Sequence, residues 1–152
     1  MRSSFFRSKG VTVGEQIARM KDFYPQFSAR LSHGEVIWIG EIKPTPMSVS
    51  YRIRIKYSLG KSPYITVISP KLRLIEGAKR PPHTYPKGNL CLYTPGKGEW
   101  HAGRFIASTI VPWTFFWLNY YEGWLITKEW HGDGTPEMRA FEDDTEKKNP
   151  DD

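Results

Sequence analysis

The sequence predicts an α+β fold, and three observations carry that prediction. A helical apolar pattern lies near the N-terminus, three short runs of strand-like residues follow it, and a second helical stretch crowded with aromatics closes the series. Strands gathered together and joined by turns, instead of alternating with helices, imply an antiparallel β-meander. At 152 residues the chain is long enough for one well-packed core and too short for two ordinary domains.

The first helix opens at Thr12-Val13-Gly14-Glu15, with Thr12 as N-cap and Glu15 in capping-box position. Val13, Ile17, Met20, Phe23 and Tyr24 then recur on one face, and Pro25 ends the helix. The first strand is 35–42, with Ser32-His33-Gly34 before it and Lys43-Pro44-Thr45-Pro46 after it. The second, 50–57, alternates aromatic or aliphatic residues with Arg52, Arg54 and Lys56, so one face is buried and the other basic. Ser62-Pro63 turns the chain into the third, 64–68. Residues 70–100 are rich in Pro and Gly and too long for a passive connection, which points to a functional loop. Residues 104–126 read as helical, with Pro112 either kinking the helix or opening a second segment at its first turn. Phe105, Ile110, Trp113, Phe116, Trp117, Tyr120, Tyr121 and Trp124 surround much of that helix and are read as core, not as a ligand cage.

Residues 105–121 carry no charge, yet they fall short of the roughly 20 residues a membrane-spanning helix needs. Ser108, Thr109, Thr114 and Asn119 dilute the stretch, and its aromatics are spread along it instead of collecting at the ends, so a buried helix is expected and no membrane. The first ten residues are basic but lack a signal peptide's apolar stretch, and a single cysteine suits a reducing compartment. A cytoplasmic location is expected. The net charge of +6 is uneven: residues 133–152 hold eight acidic and three basic residues and are expected to form a disordered acidic tail. The body, 1–132, then carries +11, which attracts nucleic acid or an acidic protein surface, although solubility explains it equally well. No repeat, helix-turn-helix or zinc-finger spacing favours nucleic acid.

The most informative segment holds the only cysteine, Cys91, within Pro81-Pro82-His83-Thr84-Tyr85-Pro86-Lys87-Gly88-Asn89-Leu90-Cys91-Leu92-Tyr93. A sole thiol can form no internal disulfide and makes no zinc site by itself, so its value lies in packing or reactivity. Structural cysteines favour apolar runs, whereas this one sits among turn formers with a histidine eight residues upstream.

The segment resembles the ubiquitin-conjugating enzymes, in which His-Pro-Asn precedes a turn with a glycine, then an apolar residue, the catalytic cysteine and a leucine. Gly88 and Leu92 fall on the glycine and leucine, Pro82 on the proline and His83 on the asparagine, while Pro81 replaces the histidine. Trp100, in Glu99-Trp100-His101-Ala102, resembles the family's Trp-Ser-Pro-Ala, displaced by one residue. A closer resemblance is to the bacterial branch found in type II CBASS antiphage operons beside a cGAS-like nucleotidyltransferase. His83, Tyr85, Gly88, Leu90-Cys91-Leu92-Tyr93, Pro112-Trp113, Trp117-Leu118, Tyr121-Glu122, Trp124 and Trp130-His131-Gly132 carry it, over roughly residues 10–135.

The resemblance implies a ubiquitin-conjugating-like domain over 1–132 with an N-terminal helix that commonly helps dock the activating enzyme. It also implies a transferase that accepts the nucleotidyltransferase's C-terminus as a thioester on Cys91 and passes it to an amine. His83 would then donate to the oxyanion, activate Cys91 or deprotonate the amine; the plainer alternative is that it holds the loop through a backbone hydrogen bond. Tyr85, Leu92 and Trp100 support the loop, Tyr85 by packing beneath the turn or touching the acyl tail, and Gly88 supplies a positive φ and close backbone approach. No cofactor or metal is implied. The chain holds no Gly-rich nucleotide loop, so activation falls to a separate enzyme or capture proceeds without ATP of its own. The competing readings are a noncatalytic scaffold of the same fold, a basic nucleic-acid-binding protein, and a Cys-His hydrolase drawing on His33, His101 or His131.

Overall fold

The computed structural model describes residues 10–132 as an α+β arrangement of two helices and one four-stranded antiparallel sheet in the order β1-β2-β3-β4. Helix α1 (Val13–Phe23) begins with the predicted capping box: the Glu15 N–H donates to Thr12 Oγ1 at 3.1 Å, and the Thr12 N–H donates to Glu15 Oε1 at 2.8 Å. Two of the orphan donors at the helix start are thereby satisfied. Met20 is fully buried, and Val13, Ile17 and Tyr24 pack against the core. Phe23, expected on the same face, is instead 57% exposed, with the Arg19 guanidinium 5.5 Å from its ring centre. At about 100° per residue it falls on the margin of the stripe centred on Met20.

The sheet has one strand more than the three predicted. β1 (Ser28–Ser32) pairs with β2 (Glu35–Ile42) through the two-residue turn His33-Gly34, where φ is 52° and 78°. Those positive angles match the right-handed twist of a hairpin. β1 went unread because all five of its residues are exposed and give no alternation. In β2, Val36, Trp38 and Ile42 face inward. A Cβ on Gly40 would stand 2.6 Å from the Phe27 ring, so only glycine lets that ring lie across the strand. β3 (Tyr51–Ser58) turns Tyr51, Ile53, Ile55 and Tyr57 inward and Arg52, Arg54 and Lys56 outward, and β4 (Tyr64–Ser69) completes the sheet.

Helix α2 (Ile110–Thr127) starts later than the predicted 104. Arg104, Ser108 and Thr109 donate to carbonyls three residues back, so 101–109 is a series of tight turns. Pro112 is the third helical residue, where no N–H is required, and it opens the helix without kinking it. Among the described residues this is a single aromatic helix, not several. Trp113, Trp117, Leu118, Tyr121 and Trp124 are buried, while Phe116 is exposed. The Tyr51 and Tyr121 rings meet edge to face at 6.3 Å, tying the helix to the sheet. Among the described residues no helix is long and apolar enough to cross a membrane. The expected acidic tail, 133–152, lies outside the described residues.

Candidate functional site

Residues 83–91 form a short finger closed by backbone bonds. The Tyr85 N–H donates to Asn89 O at 2.9 Å, and the Gly88 N–H donates to Tyr85 O at 2.8 Å, so Tyr85-Pro86-Lys87-Gly88 is a tight turn. Proline fixes its φ at the second position, and Gly88 takes φ 94° at the fourth. Among the described residues a Cβ at Gly88 would meet nothing within 4 Å, so within this chain the glycine serves its backbone angle. Thr84 and Leu90 face each other in an antiparallel bridge, and the Leu90 N–H donates to Ile65 O at 2.8 Å, which fastens the finger to β4.

The carbonyl of His83 is the anchor of this finger. It accepts from the Cys91 N–H at 2.9 Å and from Trp117 Nε1 at 3.1 Å, so one oxygen links the cysteine to the core helix. His83 itself adopts φ 56°, a left-handed conformation that costs a non-glycine residue energy and suits Asn, Asp and His best. Its imidazole lies 5.2 Å from the Trp130 indole, which also packs on Trp117 and Tyr120. Burial alone pulls its pKa down to about 4, so the ring is neutral at physiological pH.

Cys91 is 1% exposed. It nevertheless borders a groove of about 500 Å³ lined by Leu90, Leu92, Tyr64, Tyr85, Tyr93 and Trp100 among others. The cysteine is thus a nearly covered residue at the edge of the groove. Trp100 is pinned by Nε1 donating to Thr109 Oγ1 at 3.0 Å and by an edge-to-face contact with Tyr57 at 5.7 Å. The structure therefore gathers Cys91, Tyr85, Leu92 and Trp100 around one groove. Gly88 shapes the finger from outside it, and the His83 ring faces the Trp130 side and does not line it.

Three contributors escaped the sequence reading. Lys61, in the β3–β4 turn, and Tyr64, the first residue of β4, also line the groove, a long-range pairing that no local spacing reveals. Gln16 is 1% exposed on α1 and serves as a backbone surrogate: its Nε2 donates to Arg104 O at 2.9 Å, and its Oε1 accepts from the Ile106 N–H at 2.8 Å. Its signal was present, since a polar residue interrupts the apolar face of the helix. Among the described residues no group of three or more His, Cys, Asp and Glu side chains is placed to hold a metal ion.

The chain is thus an α+β protein whose sole cysteine stands on a finger beside a groove. It is a member of the type II CBASS E2 protein family, whose model matches residues 16–137. No curated protein matches the chain.

Proposed function

We propose that this protein is a ubiquitin-conjugating-type cysteine acyltransferase that carries the C-terminus of a cGAS-like nucleotidyltransferase as a thioester on Cys91. In this reading 1–132 forms the conjugating domain and the remaining residues a tail. The Cys91 thiolate attacks the activated terminal carbonyl, the carbon–sulfur bond forms, and the activating group leaves with its electron pair. A lysine amine then attacks the thioester, an amide forms, and the thiolate is released with the amine's proton passed to solvent or a nearby base. Activation is supplied by a separate enzyme, or the partner's C-terminus is captured without ATP of the protein's own. In this reading His83 orders the finger through its carbonyl, which accepts from the Cys91 N–H, while its neutral ring rests on the Trp130 side; donation from that ring to developing charge takes a turn of the imidazole toward the groove.

The observation that carries this reading is the sole cysteine placed on a groove by a finger whose backbone is tied to both β4 and α2. Family membership supports an E2-like role in CBASS. The 1% exposure of Cys91 favours the second reading, a noncatalytic scaffold of the same fold that binds the nucleotidyltransferase. Intact-mass spectrometry of the protein co-expressed with the nucleotidyltransferase separates them. Expected is a reducible adduct equal to the partner's mass less water, absent in Cys91→Ala and resistant to thiol in Cys91→Ser. Full defence by Cys91→Ala cells, with no adduct in wild type, would establish the scaffold.

A further inference from the structure

The two segments that wall the groove share a charge bias. Residues 59–65 contain one cation, Lys61, and no acid; residues 77–98 contain Lys79, Arg80, Lys87 and Lys97 and no acid. The nearest carboxylate downstream, Glu99, is turned onto the Thr94 N–H at 2.7 Å. Lys61 lines the groove itself, and Lys87 stands in the turn between the groove residues Tyr85 and Asn89. A concave site with charge of one sign focuses its field and draws in the opposite sign.

We propose that the groove selects an acyl donor that carries acidic side chains upstream of its C-terminus, with Lys61 as the residue that reads the acid. The proposal rests on the reading of Cys91 as an acyl carrier and adds the chemistry of the tail it accepts. Tyrosines suit such a groove because they offer rigid walls and hydroxyls for an extended backbone at small entropic cost.

The test uses the full chain and short synthetic peptides made as C-terminal thioesters of mercaptoethanesulfonate, so that no activating enzyme is needed. In the loading step the peptide carbonyl exchanges its bond to the small thiol for one to Cys91 Sγ, and the small thiolate takes up the proton Cys91 gave. One peptide carries glutamates upstream of an Ala-Gly end, a second has glutamines in their place, and a third has lysines. Mass spectrometry follows loading. At low ionic strength the glutamate peptide is expected to load about fivefold to tenfold faster than its glutamine counterpart, with the gain shrinking as salt is added. The lysine peptide is expected to load more slowly still. Lys61→Glu should invert the charge preference, whereas Lys43→Glu, at the opposite end of the sheet, should not. Equal loading of all peptides, or a preference indifferent to Lys61→Glu, overturns the tail-reading proposal and leaves the carrier role of Cys91 standing. A preference seen only in a chain ending at Gly132 identifies residues 133–152 as the occupant and also overturns it. No loading of any peptide sinks the carrier role itself.

Discussion

At the scale of single residues, His83 concentrates three constraints: a left-handed backbone, a carbonyl with two donors, and a buried neutral ring. Burial lowers its folded-state pKa to about 4, against about 6.5 unfolded, so the unfolded chain binds more protons between those values. Its contribution to stability is therefore complete above pH 6.5 and is lost as the pH falls towards 4, by about 3 kcal/mol at most. His83→Asn keeps a residue that accepts a positive φ and removes the titration. Urea midpoints at pH 5 and pH 7 should differ less in His83→Asn than in wild type. Trp117→Phe should preserve the parallel stack on Tyr121, at 5.4 Å, while deleting the donor to the His83 carbonyl. The expected cost is about 1 kcal/mol in urea unfolding, with a larger proportional fall in thioester formation because the finger loses its tie to α2. The spacing from His83 to Cys91 was legible in the sequence; the direction of the imidazole, towards Trp130, was not, because a tertiary contact sets it.

At the scale of elements, what could be read depended on whether an element buries one face. β3 alternates perfectly and α1 announces itself with a capping box, so both were predicted nearly to the residue. β1 leaves all five of its residues exposed and pairs with β2 through its ladder, so nothing in the pattern of its side chains declared it. The start of α2 was misplaced because 104–109 shares the apolar composition of the helix while its backbone is spent on tight turns. Gln16 is what docks those turns onto α1. Gln16→Ala leaves the Ile106 N–H and Arg104 C=O without their side-chain partner in a buried setting, and unfolding should come about 1–3 kcal/mol sooner in urea titrations. Gln16→Glu, which can still accept but cannot donate, should lose part of that at neutral pH.

At the scale of the whole molecule, the described chain closes on itself at Trp130. After α2 ends at Lys128 in a left-handed cap, the indole of Trp130 returns to pack on Trp117, Tyr120 and His83. A chain ending at Gly132 should keep wild-type stability, whereas one ending at Lys128 should lose about 1–3 kcal/mol by thermal or urea unfolding, the worth of one large side chain's burial. The loss should be felt at the finger as well as at the terminus, since Trp130 covers His83. Sequence reading recognised the Trp130-His131-Gly132 motif without its purpose, because the fold-back joins residues 47 positions apart. The asymmetric charge of the body was equally legible, but only the geometry brings Lys61 to the same groove as the cysteine.

One sulfhydryl in the entire polypeptide has a practical corollary. Any maleimide or iodoacetamide that reacts must have caught the finger in a moment of opening, because the resting cover leaves the sulfur almost no contact with solvent. The alkylation rate thus becomes a stopwatch on the motion a donor tail would have to await or provoke, read from one peak in a mass spectrum.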